Sequence, residues 1–149
     1  MAKKVQSTFL GLLTACILAA TACDDSRINS GPTLKDAWIR ALPTGSGMTA
    51  GFGTLENPGP GAIEIRSFTS PSFGDVSLHR TELVDGVSRM KEVPALSIEA
   101  GSSIVLEPGG YHLMLMMPVE DIMPGKTVTI EMTAADGRHF SFVVPVERR

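Results

Sequence analysis

The chain has 149 residues, which is enough for one domain and not comfortably enough for two. Its formal net charge is −3, with 16 acidic and 13 basic residues, and it contains no long basic stretch that could contact phosphates. This composition excludes the usual nucleic-acid-binding classes, so nucleic acid is not an expected partner.

The first 23 residues have the pattern of an export signal. Lys3 and Lys4 precede the apolar run FLGLLTACILAA, which is shorter than the roughly 20 residues that a membrane-spanning helix needs. The stretch AATAC then ends at Cys23 and resembles the lipobox of bacterial lipoproteins. We predict a signal peptide over 1–23 with Cys23 as the lipidated first residue. There are two alternatives: cleavage at Cys16, and a plain secretory signal without lipidation.

Removal of this leader changes both the charge and the chemistry of the protein. The remaining chain has a formal charge of −5. Its folded part has no cysteine, so disulfides, thiolate ligands and cysteine nucleophiles are excluded there. Residues 24–34 are polar with a Gly-Pro pair, and we predict a flexible linker. The folded domain is expected over 35–147. It would lie on the periplasmic side of a bacterial membrane, either lipid-anchored or soluble.

Short apolar runs follow one another through the domain and are separated by turn sequences such as NPGPG, DG, EPGG and ADG. This spacing predicts an all-β protein, an antiparallel sandwich or barrel with little helix. The predicted strands are residues 36–42, 49–57, 62–68, 76–84, 87–93, 102–107, 111–117, 126–133 and 139–146.

Two of these strands form a hairpin whose register can be predicted from its turn. Asp85-Gly86 fits a two-residue type I′ turn, which places Thr81 opposite Met90. Because side chains alternate between the faces of a strand, His79 and Met90 then share one face as diagonal neighbours.

The stretch YHLMLMM, residues 111–117, offers a second set of soft donors. In a strand, one face carries His112, Met114 and Met116, of which Met116 is a less favoured donor. If this strand packs beside the hairpin, two imidazoles and two thioethers can converge. The other face is expected to face the core, with its last residue an adaptable filler. The residues of that face are Leu113, Leu115 and Met117.

The donor types indicate which metal such a site would bind. Neutral, polarisable thioethers suit Cu(I), whereas zinc would require thiolates or carboxylates beside the histidines. A blue-copper electron-transfer site needs a cysteine thiolate, which the domain lacks. Taken singly, each methionine could instead be core filler and each histidine a surface residue. The spacing of the four donors decides between these interpretations.

Ten residues separate His79 from Met90, twenty-one separate Met90 from His112, and one separates His112 from Met114. This spacing resembles the H(M)-x10-M-x21-H-x-M signature of the PCuAC family of periplasmic copper chaperones. The segments DAWIRALPTG, GTLENPG, VSLHRTELVDGVSRMKEV and LEPGGYHLMLM resemble those of the family in the same order. The resemblance extends over about residues 35–146.

The resemblance implies a cupredoxin-like β-sandwich or barrel that binds one Cu(I) through His79, Met90, His112 and Met114. It also implies delivery to the copper-A centre of cytochrome c oxidase, often alongside a Sco-type thiol protein. The chain departs from the family at Arg80, where methionine is common, and its end, VPVERR, is not rich in histidine and methionine. A second, Cu(II) site is therefore not expected.

The sequence thus predicts an extracytoplasmic Cu(I) metallochaperone and not an enzyme. Two alternatives remain open. One is a periplasmic copper buffer or resistance protein, which would use the same ligands. The other is a metal-free β-sandwich interaction module, in which the two histidines would lie more than about 10 Å apart, too far to share one ion.

Overall fold

The computed structural model describes residues 31–42 and 45–149. The predicted signal peptide, Cys16 and Cys23, and most of the predicted linker lie outside these residues. Within the described ranges the chain is all β, as predicted, and no helix has the length and apolar character needed to span a bilayer. The strands are β1 (Thr33–Arg40), β2 (Met48–Glu56), β3 (Ile63–Thr69), β4 (Phe73–Val84), β5 (Val87–Glu92), β6 (Leu96–Ile98), β7 (Ser103–Leu106), β8 (Tyr111–Pro118), β9 (Thr127–Ala134) and β10 (His139–Glu147).

Every predicted strand coincides with an observed one to within a few residues. Strand β1 begins at Thr33, inside the segment predicted as linker. Strand β6, which has three residues and pairs with the start of β3, was not predicted from the sequence. Three residues are too few to show an alternating pattern, so this strand left no recognisable signal.

The strands close into a barrel in the order β4, β8, β2, β1, β10, β9, β3, and the ring is completed where Phe68 of β3 opposes Val76 of β4. Strand β7 lies beside β2 and β8 at one end, while β5 and β6 extend the sheet from β4 and β3. Most pairings are antiparallel, as predicted, but β1–β10 and β7–β8 are parallel. Closure leaves few free edges.

Inward-facing side chains of the strands that form the barrel pack into one core, to which the exposed strand β5 contributes none. On β8 the inward residues Leu113 and Leu115 are 3% and 0% exposed, as predicted. Met132 of β9 is likewise fully buried. The largest fully buried side chains are Ile39, Leu55, Ile65, Ile98, Leu115, Ile130, Met132 and Val146.

The prediction that Met117 is core filler is wrong, because its side chain is 60% exposed. Its backbone has φ +54°, which removes it from strand geometry at the end of β8. Its N–H donates to Gly47 O at 2.9 Å. The side chain covers Gly74, where an added Cβ would lie 3.0 Å from that of Met117. The alternation of buried and exposed side chains that holds for the rest of β8 therefore fails near the end of the strand.

The β4–β5 hairpin has the predicted register, with Thr81 opposite Met90. Asp85 and Gly86 have φ values of +53° and +77°, the positive pair that a type I′ turn requires. The register predicted from the turn is therefore confirmed, and it places His79 and Met90 on one face.

A β-bulge in β1 orients the side chains that follow it. Asp36 and Ala37 together oppose Gly53 of β2, and Asp36 has φ +49°. Gly53 has φ +147°, and a Cβ there would lie 2.9 Å from Ala37 Cα, so only glycine fits. Beyond the bulge, Trp38 opposes Phe52. The bulge therefore sets the register that stacks these two rings on the outer face of the barrel.

Candidate metal centre

The two predicted histidine ligands lie side by side. His79 of β4 and His112 of β8 are directly opposed in the antiparallel register. Their ring centroids are 6.1 Å apart, with an interplanar angle of 32°. This separation is within the range at which two imidazoles can share one ion, so the separation expected for a metal-free module is not observed.

His112 is held in a defined orientation. It is 5% exposed, and when Nδ1 carries the hydrogen it donates to Gly110 O at 3.1 Å. The same carbonyl accepts the N–H of Thr81 at 3.0 Å, which fixes its position between β8 and β4. This arrangement leaves Nε2 as the basic nitrogen, the usual way in which a metal-binding imidazole is oriented.

In His79 the hydrogen-bonded ring nitrogen is Nε2, not Nδ1 as in His112. Its Nε2 lies 3.0 Å from the hydroxyl oxygen of Ser77, two residues earlier on the same face of β4. Its Nδ1 is buried and has no hydrogen-bond partner among residues 31–42 and 45–149. An unpaired buried nitrogen is uncommon and calls for an explanation. With Nε2–H donated to Ser77, the lone pair of Nδ1 is the one available to a metal ion.

The two predicted methionine ligands lie on the same face as the histidines. Met114 is one alternate position beyond His112 on β8, where it opposes Ser77 of β4. Met90 of β5 opposes Thr81 and is 50% exposed. All four predicted donors therefore surround one region of the outer face.

A cavity of about 200 Å³ opens beside this region. Met90 and His112 line this cavity. His79 and Met114 are not part of its lining, but both are neighbours of His112 in the sheet. A larger cavity of about 640 Å³, between the loops near Gly45 and Glu120, contains none of the four donors. The residues lining the smaller cavity are Arg40, Ala50, Phe52, Thr81, Met90, Pro108, Gly109 and His112.

Aromatic rings flank the histidine pair on the β2 side. Phe52 lies 6.5 Å from His112 between ring centroids, and Trp38 lies 4.7 Å from Phe52. Arg40 stacks over Phe52 at 5.4 Å. These rings shield one side of His112 from solvent. This shield was not predicted from the sequence, because it depends on the pairing of β2 with β1 and β8.

The predicted donor set is two imidazoles and two thioethers without a thiolate. Among the described residues, no group of three or more His, Cys, Asp or Glu side chains could hold a metal. Ser77 and Gly110 were not predicted from the sequence as partners of the ring nitrogens. The position of Ser77, two residues before His79, was a usable signal, whereas a backbone carbonyl such as Gly110 O gives none.

Comparison with known proteins places this fold in a family. The family described as "Putative lipoprotein LpqE-like" matches residues 32–146. The chain belongs to the LpqE-like family. This LpqE-like protein is also 33% identical to "Putative lipoprotein Lxx21020" of Leifsonia xyli subsp. xyli over 148 residues, covering 98% of this chain and 88% of the relative.

Solved structures agree with this assignment. The Cu(I) form of DR1885 from Deinococcus radiodurans is 28% identical, with a TM-score of 0.66, and the match covers 88% of this chain and 87% of that one. The copper-bound PCuAC domain from PmoF2 has the same TM-score at 16% identity, covering 80% and 95%, and shows the shared fold. The predicted PCuAC resemblance and cupredoxin-like fold of the LpqE-like protein are therefore confirmed.

Proposed function

We propose that the protein is an extracytoplasmic Cu(I) metallochaperone that binds one Cu(I) through His79, Met90, His112 and Met114. The observation that carries this proposal is the direct opposition of His79 and His112, whose ring centroids are 6.1 Å apart. Met90 and Met114 lie on the same face. The copper-binding PCuAC domains with this fold support the choice of metal.

The hydrogen bonds of the two imidazoles suggest which atoms bind the ion. Gly110 O accepts from Nδ1 of His112 and leaves Nε2 to coordinate. Ser77 holds Nε2 of His79 and leaves the unpaired Nδ1 to coordinate. Each ring is thereby fixed before the ion arrives, which reduces the entropy lost on binding.

The exposure of the donors suits a protein that must release its cargo. His112 is buried, whereas Met90 is 50% exposed at the edge strand β5. A neutral thioether at this edge can be replaced by a ligand of the recipient without leaving an uncompensated charge in the site. Ligand exchange of this kind, and not catalysis, is the proposed activity.

Membership of a lipoprotein family supports an extracytoplasmic, membrane-anchored protein. We place its anchor at Cys23, on the periplasmic side of the membrane, and its predicted linker between the anchor and the barrel. This arrangement would keep the copper site near membrane-bound recipients. The proposed recipient is the copper-A centre of cytochrome c oxidase, and a Sco-type thiol protein is the proposed second partner.

A transfer experiment tests this function. The protein is loaded with Cu(I), mixed with an apo copper-A domain and separated from it, and copper is then measured in both fractions. Copper is expected to move to the copper-A domain. Two controls are the His79→Ala/His112→Ala variant, which should load no tightly bound copper, and Met123→Leu, which should behave as the wild type.

The outcomes separate the candidate roles. Tight Cu(I) binding without transfer to the copper-A domain would favour the copper buffer over the chaperone. Failure of the wild-type protein to retain copper after reconstitution would overturn metal binding altogether. It would leave the metal-free interaction module as the better description.

A further inference from the structure

The face of β8 that carries His112 also carries two methionines. Met114 and Met116 follow at alternate positions, so the three side chains lie on one side of the strand. Met48 opposes Met116 from β2, and Asp75 opposes it from β4. Two thioethers and one carboxylate therefore lie on one face at the same level of three neighbouring strands, two same-face positions along β8 from His112.

We call His112, Met114, Met116 and Met48 the methionine row. Side-chain exposure increases along this row with distance from His112. His112 is 5% exposed, Met114 and Met116 are partly buried, and Met48 is 57% exposed. Asp75 is exposed and makes no ion pair or side-chain hydrogen bond with any residue in the described part of the chain. The outer end of the row can therefore be reached from solvent, and the inner end adjoins the buried imidazole.

The methionines of this row are not explained as core filler. Met132, which is fully buried, fills the core, whereas Met48 lies on the surface. Four of the seven methionines among the residues that the structure describes lie on this one face of the sheet. These four are Met48, Met90, Met114 and Met116.

We propose that Met48, Met116 and Asp75 form an outer Cu(I) site that receives the ion and passes it inward along β8. This inference rests on the proposed function of the inner site. Thioethers select Cu(I), and the carboxylate offsets the positive charge of the ion. The outer site would be weaker than the inner one, because it has no imidazole.

The proposed transfer is a ligand exchange. Successive rungs on one face of a strand are about 7 Å apart, and methionine side chains are long and flexible enough to bridge part of this distance. Met114 binds the ion as Met48 and Asp75 release it, and the two histidines then complete the inner site. Copper remains Cu(I) throughout, so no oxidant or reductant is needed.

A titration with Ag(I), a redox-inert substitute for Cu(I), tests the outer site. The protein is labelled with ¹³C at the methionine methyl groups, which are followed by NMR. The Met90 and Met114 signals should shift with the first equivalent of Ag(I). Those of Met48 and Met116 should shift with the second. Met123, which is 49% exposed and lies outside the row, is the internal control and should not shift in this range.

Two variants separate the outer site from the inner one. The Met48→Leu/Met116→Leu variant should no longer bind the second equivalent of Ag(I) and should still bind the first. In His79→Ala/His112→Ala, the Met48 and Met116 signals should still shift, so the outer site is judged even if the inner site fails to bind copper. The proposal is overturned if those two signals do not move, or if they move only together with Met123, which would indicate general thioether affinity.

Discussion

His79 and His112 occupy directly opposed positions on β4 and β8, although 32 residues separate them in the chain. The barrel core enforces this pairing, because the adjacent residues Leu78 and Leu113 also oppose each other and are both 3% exposed. A slip of one residue would move these leucines to the surface. The same hydrophobic contacts that stabilise the barrel therefore keep the two imidazoles together.

The thioether ligands should contribute to copper affinity without contributing much to stability. Met114→Leu roughly conserves volume, so the free energy of unfolding should change by less than about 1.5 kcal/mol. The Cu(I) affinity is expected to fall by about tenfold, or 1.4 kcal/mol, with a similar loss for Met90→Leu. Competition against a Cu(I) chelator measures the affinity, and Met123→Leu is the matched control. Unchanged retention in the Met90/Met114 double variant would remove the thioethers from the site.

Copper binding should weaken in acid. A metal ion binds the unprotonated imidazole nitrogen, so protons compete with Cu(I) at both His79 and His112. Lowering the pH adds protons to the free protein, so the Cu(I) affinity should be lower at about pH 5 than at about pH 8. The same chelator competition, repeated across this range, tests it. A flat profile would contradict ligation by histidine.

Ser77 is expected to act through His79. Its hydroxyl lies 3.0 Å from Nε2 of His79, so Ser77→Ala removes the group that orients the ring. Loss of such a partner lowers metal affinity by roughly 10–100-fold. Ser77→Thr retains the hydroxyl and should restore most of the affinity. Thermal unfolding of the copper-free protein should change little. Equal affinity in the alanine and wild-type proteins would show that Ser77 does not position the ring.

Asn57 should stabilise the fold without affecting copper. It is 3% exposed, and its Nδ2 donates to Gly61 O at 2.8 Å and Ile98 O at 2.9 Å. Its Oδ1 accepts the N–H of Gly59 at 3.1 Å. Asn57→Ala leaves these buried groups unpaired and should lower the free energy of unfolding by about 3 kcal/mol.

Urea unfolding of the copper-free protein measures the effect of Asn57→Ala. The control is Thr69→Ala, which removes an exposed hydrogen bond to Glu131 and should cost less than about 0.5 kcal/mol. The Cu(I) affinity of both variants should equal that of the wild type. Similar stability losses in the two variants would contradict the role assigned to Asn57.

Local sequence patterns predicted a large part of the fold and of the candidate site. The Asp85-Gly86 turn predicted the hairpin register, and the alternation in β8 placed His112 and Met114 on one face. Both inferences rest on backbone geometry that a few consecutive residues determine. The same reasoning failed at Met117, where a positive φ interrupts the alternation.

The sequence by itself determined the donor types, their spacing and the faces on which they lie. Only the tertiary structure decided that β4 and β8 are neighbours, which brings His79 against His112, and that Ser77 and Gly110 O orient the two rings. The physical reason is the distance along the chain over which each effect acts. The face of a side chain follows from the period of its own strand, whereas the pairing of distant strands depends on how the whole barrel buries its apolar side chains.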